Sequence, residues 1–136
     1  MILSVCPNPS VDCTIELDML KTGALNRVEN KVITYSGKAL NAAIGVARLG
    51  GDSFATGFMF DDNGKMFVHT LDDEGVKNTF VWNKGGARTN YKIVDKRSMM
   101  TEINDKGERV SEEKQEELLS LTGTLAKNAS VVVMSG

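Results

Sequence analysis

The sequence predicts an α/β fold in which a parallel sheet is accompanied by a smaller group of β-strands. Short apolar runs alternate with segments of helical periodicity, which is the order that builds parallel sheets. Further stretches carry β-branched residues among polar ones, which is typical of thinly buried strands. The 136 residues are enough for one domain.

The first part of the chain reads strand, helix, strand, helix. Ile2 to Cys6 is a nearly continuous apolar run and predicts a central strand covered on both faces. Lys38 to Leu49 has apolar residues at helical spacing and predicts a helix. Ser53 to Phe58 predicts the second strand, and Asn63 to Glu74 the second helix.

A second strand group is predicted between and after these elements. Five short runs carry its pattern: Val11 to Ile15, Arg27 to Thr34, Phe80 to Trp82, Asn90 to Val94 and Met99 to Ile103. The first two predict a pair of strands that stands off the main sheet. Together the runs predict a small β subdomain with strands within residues 11–35 and 78–104.

The last predicted elements are a helix and a strand. Ser111 is the expected N-cap of a helix with acidic residues in its first turn, and the apolar run from Val131 to Met134 predicts a buried strand. Ser135-Gly136 then falls at the carboxyl edge of this strand, where open α/β sheets place ligand loops. We therefore expect the chain to be a truncated form of a longer one.

Composition excludes several classes of protein. Sixteen Lys and Arg against eighteen Asp and Glu give a net charge of −2, which favours neither nucleic acid nor an anionic membrane surface as partner. No apolar run reaches the roughly 18 residues of a membrane span and no signal peptide is evident, so we expect a cytoplasmic protein. The two cysteines, Cys6 and Cys13, indicate neither a disulfide framework nor a metal site.

Phosphate-binding motifs of the common kinds are absent. No dinucleotide fingerprint follows the first strand, and no P-loop occurs. The segment Tyr35 to Asn41 is the best alternative, because a turn of small residues opens directly into a helix whose first amides attract anions. Lys38 would add a positive charge and Asn41 a donor and an acceptor. An ordinary strand-to-helix turn explains the segment equally well.

Four other residues are weaker candidates. Asp12 follows the first strand and can accept hydrogen bonds from hydroxyls, although a turn-capping role is as plausible. Arg27 and Arg88 suit a phosphate monoester, although solvated surface arginines are commoner. His69 lies in the second predicted helix without a partner at a telling spacing, and we assign it no role.

The order of several motifs resembles that of the ribokinase-like sugar kinases of the phosphofructokinase-B type. The motifs are Asn8-Pro9-Ser10-Val11-Asp12, Asn26-Arg27-Val28, Ser36-Gly37-Lys38-Ala39-Leu40-Asn41, Ala47-Arg48-Leu49-Gly50, Arg88-Thr89-Asn90 and Thr101-Glu102-Ile103-Asn104. They are most similar to the branch of 1-phosphofructokinase and tagatose-6-phosphate kinase. The resemblance covers all 136 residues but only the amino-terminal half of a family member.

The resemblance implies a Rossmann-like, ribokinase-type sandwich with a small β-sheet lid, present here as its amino-terminal part, residues 1–136. It implies ATP-dependent phosphorylation of a ketohexose phosphate, either fructose 1-phosphate to fructose 1,6-bisphosphate or tagatose 6-phosphate to its 1,6-bisphosphate. The catalytic base and the sites for ATP and Mg²⁺ are expected outside this segment. The alternative is a non-catalytic module that binds a sugar phosphate or a protein partner.

The resemblance also assigns roles to residues. Asp12, Gly37 and Asn41 would hold sugar hydroxyls. A second set would neutralise the substrate phosphate: Lys38, Arg27 and Arg88. A homodimer through the lid strands is implied, with Arg88 acting on the neighbouring subunit's site. Ser36 and Ala39 stand where this branch usually has glycine, and a side chain there costs about 1 kcal/mol if the backbone requires positive φ.

Overall fold

The computed structural model describes all residues from Met1 to Gly136 and contains two sheets and three helices. In chain order the elements are β1 (Ile2–Cys6), β2 (Ser10–Leu17), β3 (Asn30–Ser36), α1 (Lys38–Arg48), β4 (Ser53–Phe60), α2 (Gly64–Asp73), β5 (Lys77–Asn78), β6 (Val81–Asn83), β7 (Arg88–Asp95), β8 (Met100–Asn104), α3 (Glu112–Ala126) and β9 (Val131–Met134).

The larger sheet is parallel and has the order β5-β4-β1-β9, with β6 pairing with the end of β4. Strand β1 lies between two partners, so that Leu3 is level with Phe54 on one side and Val132 on the other. A central strand covered on both faces is mostly apolar, and Leu3 and Val5 are fully buried, as is Ser4 between them. The predicted parallel α/β sheet is therefore present.

Helix α1 and a close strand contact build the core beside β1. The helix packs on β1 and β4 and buries Ala39, Leu40 and Ala43 at helical spacing. Strand β4 approaches β1 closely at Gly57, where a Cβ atom would lie 1.9 Å from the Cys6 carbonyl oxygen. Glycine is therefore required at this position.

The second sheet, which we call the lid sheet, has the order β3-β2-β7-β8. Strands β2 and β3 are antiparallel, β2 and β7 are parallel, and β7 and β8 form an antiparallel hairpin. Its base is tied to α2, because the rings of Tyr35 and Phe67 meet edge to face with centroids 5.2 Å apart. The stretch between β1 and α1 thus contains two strands of a separate sheet, as expected.

Three expectations about strands need correction. Phe80 to Trp82 was expected in the β subdomain, but β6 pairs with β4 of the larger sheet because Phe80 and Val81 are buried in the main core. The strand predicted from Arg27 begins only at Asn30, since the side chain of Asn26 bonds to the backbone of Lys21 and holds a turn there. Strand β9 was expected to be buried, but it is the edge strand of the larger sheet, and Val131, Val132 and Met134 are exposed. The two-residue strand β5 was not predicted.

Helix α3 begins as predicted. The hydroxyl of Ser111 accepts a hydrogen bond from the backbone N–H of Lys114 at 3.3 Å, and two glutamates occupy the first turn. Leu118 is its one buried residue, while Leu119 is exposed. None of the three helices combines the length and the hydropathy needed to span a membrane.

Candidate functional site

A polar cavity of about 470 Å³ lies between one face of the lid sheet and the beginning of α1. Eleven residues line it: Asn8, Ser10, Asp12, Ser36, Gly37, Lys38, Asn41, Arg88, Asn90, Lys92 and Gly136. None of the eleven is hydrophobic. We call this space the polar cavity. Its size is within the range of small-molecule sites, and its lining suits a ligand that is polar over its whole surface.

Strand register brings the lid residues of this cavity together. Side chains on neighbouring strands share a face when their residues are paired, and alternate residues along a strand share it too. Asp12 is paired with Asn90, and Ser10 is paired with both Ser36 and Arg88. Positions 10 and 12 of β2, 36 of β3 and 88, 90 and 92 of β7 therefore line one face.

Asp12 is the centre of a hydrogen-bond network. Its Oδ2 accepts from the hydroxyl of Ser36 at 2.8 Å, and its Oδ1 accepts from the side-chain amide of Asn90 at 3.1 Å and from Ser10 Oγ at 3.3 Å. Lys92 Nζ lies 3.9 Å from Oδ2. The network fixes the carboxylate in place, so its remaining acceptor positions are presented to the cavity in one orientation.

The turn before α1 places the backbone of Gly37 at the cavity. A Cβ atom on Gly37 would lie 2.6 Å from Cys6 Sγ, so only glycine lets the turn pack this closely against β1. No side chain caps the first amides of α1. The beginning of α1 therefore offers N–H donors and the positive end of the helix dipole to an anion.

Cys6 supports this turn from below. Its thiol is fully buried beneath Gly37. Burial raises the pKa of the Cys6 thiol, although hydrogen bonds from the backbone of Asn8 and Leu40 oppose the shift. The sulfur is therefore a neutral packing group at physiological pH.

Three cations face the single side-chain carboxylate. Lys38, Arg88 and Lys92 line the cavity with Asp12, so the nearby formal charge is positive. Arg88 has one hydrogen bond to protein, from Nη1 to Asn90 Oδ1 at 3.3 Å, and its buried Nε has no partner. Most of the donors of this guanidinium are thus free to bind an acidic group.

The two departures from the glycine pattern are not strained. Ser36 ends β3 and Ala39 is in the first turn of α1, and neither has positive φ. The conditional cost of a side chain at these positions therefore does not arise. Ala39 is fully buried in the core, whereas Ser36 turns its hydroxyl to the cavity.

Five of the six predicted site residues line the polar cavity: Asp12, Gly37, Lys38, Asn41 and Arg88. Arg27 lines a separate cavity of about 360 Å³ beyond the far end of β2, together with Leu17 and Leu25. Arg88 lies in its own chain's cavity, so the expectation that it acts across subunits is not needed to explain its position. His69 is exposed, and its Nδ1 lies 2.9 Å from Asp73 Oδ2, one helical turn later.

Several lining residues were missed from the sequence. Ser10, Asn90 and Lys92 belong to the same sheet face as Asp12, yet no role was assigned to them. Period-two alternation in β2 and β7 was the available signal, because both strands keep polar residues on one face at positions 10, 12, 88, 90 and 92.

No group of three or more His, Cys, Asp or Glu side chains is arranged to hold a metal ion. Asp12 is the only side-chain carboxylate that lines the polar cavity. The side chains of this chain therefore do not fit a Mg²⁺ site by themselves.

Comparison with known proteins gives consistent results. Residues 8–136 match the pfkB family carbohydrate kinase profile. The chain is 35% identical over 136 residues to a 1-phosphofructokinase of Borreliella burgdorferi and 33% identical over 136 residues to a tagatose-6-phosphate kinase of Staphylococcus epidermidis. Each match covers the whole chain and 44% of the relative.

A solved structure agrees with these sequence matches. The crystal structure described as a possible 1-phosphofructokinase of Thermotoga maritima superposes with a TM-score of 0.87 at 30% identity. It covers all of this chain and 44% of that one. The chain thus spans less than half the length of the proteins it matches, and it has their ribokinase-type mixed α/β fold.

Proposed function

The chain belongs to the pfkB family of carbohydrate kinases, and from this premise we propose that it provides the sugar-phosphate site and lid of an ATP-dependent ketohexose phosphate kinase. The substrate is fructose 1-phosphate or tagatose 6-phosphate, and the product is the corresponding 1,6-bisphosphate. The relatives named 1-phosphofructokinase and tagatose-6-phosphate kinase support this class of substrate.

The observation that carries the proposal is the composition of the polar cavity. A sugar phosphate presents hydroxyls on most of its surface and a dianion at one end. The cavity matches both parts, because it has no hydrophobic lining residue and combines three cations with one carboxylate. A ligand with an apolar body would leave these polar groups unpaired, which is unfavourable in a partly enclosed site.

Both walls of the cavity contribute to each of the two roles. Asp12 accepts and Asn41 exchanges hydrogen bonds with sugar hydroxyls, beside the backbone of Gly37. Lys38 and Arg88 neutralise the phosphate that the substrate already carries, and the arginine can bind it through two parallel N–H donors. This arrangement leaves a hydroxyl at the opposite end of the sugar as the acceptor.

Catalysis by this part of the enzyme consists of positioning. Holding the sugar by Asp12 and Asn41 at one end and Arg88 at the other fixes the direction of the acceptor hydroxyl. The lid sheet forms one wall of the site and limits the access of water, which would otherwise compete as acceptor. ATP supplies the transferred phosphoryl group, but we assign no ligand of ATP or Mg²⁺ to this chain.

We also propose that two copies pair through the other face of the lid sheet. A row of paired residues crosses all four strands on that face: Ile33, Cys13, Tyr91 and Ile103. Three of them are large and exposed, from 41% for Tyr91 to 57% for Ile103. Arg27 would contact a substrate phosphate only across such a dimer. A Tyr91→Lys variant should then be monomeric by light scattering at concentrations where the wild type is dimeric.

Calorimetry with separate ligands tests the proposed function. Fructose 1-phosphate or tagatose 6-phosphate should bind, and Asp12→Ala should abolish the binding. Because we assign no ATP ligand to this chain, sugar-phosphate binding without ATP binding is the expected result, and it agrees with the substrate site of a kinase as well as with a sensor. Binding of ATP as well would favour the kinase. If neither sugar phosphate binds at any accessible concentration, the proposal is wrong.

A further inference from the structure

Asn63 occupies the N-cap position of α2, but its side chain does not cap the helix. Its Nδ2 donates to the Ala87 carbonyl oxygen at 3.1 Å, and its Oδ1 accepts from the Ala87 N–H at 2.9 Å. Two residues that face each other in a hydrogen-bonded pair of antiparallel strands exchange the same two hydrogen bonds, one N–H to carbonyl bond in each direction. An N-cap asparagine normally bonds to its own helix, so the side chain of Asn63 serves the segment at Ala87 instead.

The bonded segment leads directly into β7. Ala87 is buried and precedes Arg88, the first residue of that strand. The turn before α2 also bonds to the segment through its backbone, because the Asp62 N–H donates to the Gly85 carbonyl at 3.0 Å. Asn63 therefore ties the end of the larger sheet to the point where the chain enters the lid sheet.

Few hydrogen bonds fix the side chain of Arg88. Its one hydrogen bond to protein, to Asn90, is long at 3.3 Å, and its Nε has no partner. Gly107 lies close to it, since a Cβ atom there would be 3.3 Å from Arg88 Cβ. The direction of the guanidinium consequently depends on where the backbone places residue 88.

We propose that Asn63 is a positioning residue for Arg88 and thereby sets the affinity of the polar cavity for the phosphate group of its ligand. This inference rests on the proposed function, in which Arg88 binds that phosphate. Asn63 does not line the cavity. Its loss should displace the phosphate contact and leave the hydroxyl contacts of Asp12 and Asn41 in place.

The test compares binding of fructose 1-phosphate with binding of fructose to the full chain. We expect Asn63→Ala to weaken the binding of fructose 1-phosphate about tenfold, in line with partial loss of a charged hydrogen bond. The affinity for fructose should change less than twofold. Asn63→Asp should behave in the same way, because it removes the donor to Ala87 but keeps a residue that can cap α2. This second variant guards against a failure of Asn63→Ala to fold.

Asn83→Ala is the matched control. The Asn83 amide also makes two side-chain hydrogen bonds to backbone, to Met59 O at 3.2 Å and Val81 O at 3.0 Å, and is similarly half-buried. It contacts neither Ala87 nor the cavity. This control variant should lower thermal stability and should change the affinities for fructose and fructose 1-phosphate by similar factors.

A double-mutant cycle tests whether Asn63 acts through Arg88. Adding Asn63→Ala to Arg88→Ala should not weaken the binding of fructose 1-phosphate any further.

Two results would overturn the positioning role. One is an equal loss of affinity for fructose and fructose 1-phosphate in the Asn63 variants, and the other is a further tenfold loss in the double variant. If the wild type binds neither sugar, the proposed function fails, and NMR of the ligand-free protein tests whether Asn63 positions Arg88. In Asn63→Ala the Ala87 amide proton should exchange faster and the Arg88 Nε–H resonance should shift, whereas Asn83→Ala should show neither change. An unchanged Arg88 resonance in Asn63→Ala would refute the inference.

Discussion

The hydroxyl of Ser36 donates a hydrogen bond to Asp12 Oδ2 over 2.8 Å. Ser10 and Asn90 donate to the other oxygen, so protein groups already contact both oxygens of the only side-chain carboxylate in the polar cavity. A carboxylate has about four acceptor positions. A sugar hydroxyl that binds Asp12 therefore shares this carboxylate with Ser36.

Removal of the Ser36 hydroxyl should strengthen binding of a sugar phosphate. Ser36→Ala frees Asp12 Oδ2 for a ligand hydroxyl, which is worth about 0.5 to 1.5 kcal/mol, or roughly two- to tenfold in Kd. Thr34→Ala is the control, because Thr34 is paired with Asp12 on the same sheet face but makes no hydrogen bond to it. Calorimetry that finds weaker binding by Ser36→Ala would mean that Ser36 orients Asp12 for the ligand.

Loss of the Asp12 charge should weaken the binding of the unphosphorylated sugar as well as that of the sugar phosphate. Asp12→Asn replaces an acceptor oxygen by a donor, and we expect about tenfold or greater weakening of both fructose and fructose 1-phosphate. Glu16→Gln is matched to it, since Glu16 is an exposed carboxylate on the same strand and face. NMR titration measures both ligands, and a loss confined to the phosphorylated sugar would contradict the assignment of Asp12.

Gly37→Ala should destabilise the turn before α1. The added Cβ would lie 2.6 Å from Cys6 Sγ, and overpacking of this kind costs about 1 to 3 kcal/mol. Gly45→Ala, in the middle of α1 with open space around it, should instead raise stability by about 0.5 to 1 kcal/mol.

Urea unfolding of both variants measures this difference. In a Cys6→Ala background the cost of Gly37→Ala should become smaller, since the sulfur atom is the close contact. An undiminished cost in that background would place the strain elsewhere in the turn.

Asp95 should make the lid hairpin sensitive to acid. Hydrogen bonds from the Arg97 guanidinium hold the pKa of Asp95 below its usual range, with backbone N–H groups of Met99 and Arg97 adding to the effect. Stability from a lowered carboxyl pKa is present above the unfolded value of about 3.9 and is lost as pH falls through the folded value.

Asp95→Asn should therefore be less stable than the wild type at neutral pH, and the difference should narrow below about pH 4. Urea unfolding across this range measures it. Glu102→Gln, which removes an exposed carboxylate from β8 of the same hairpin, is the control variant. A constant difference between Asp95→Asn and the wild type at all pH values would show that the Asp95 charge is not responsible.

Local pattern predicted most of the elements because each has a signal of its own. The apolar run of β1, the helical spacing of α1 and the Ser111 cap all depend on neighbouring residues. Strand β6 was placed in the wrong sheet for the opposite reason. A strand of only three residues does not indicate which other strand it will pair with. The burial of Val81 favours pairing with β4, and that burial depends on the tertiary structure.

The candidate site was predictable only in part for the same reason. Residues within motifs, such as Asp12 and Asn41, were identified from the order of those motifs. Ser36 and Lys92 join them through strand register, which the sequence does not show. Arg27 was grouped with the phosphate ligands by motif alone, and the turn held by Asn26 places it at a different cavity.

The most direct test of the account is to locate the sugar-phosphate site by titrating fructose 1-phosphate into isotope-labelled protein and following the backbone amides. We expect saturable shifts that concentrate at Asp12, Gly37, Lys38 and Arg88 and that are absent in Asp12→Ala. Shifts concentrated around Arg27, or no saturable shift at all, would contradict the claim that the polar cavity binds a sugar phosphate.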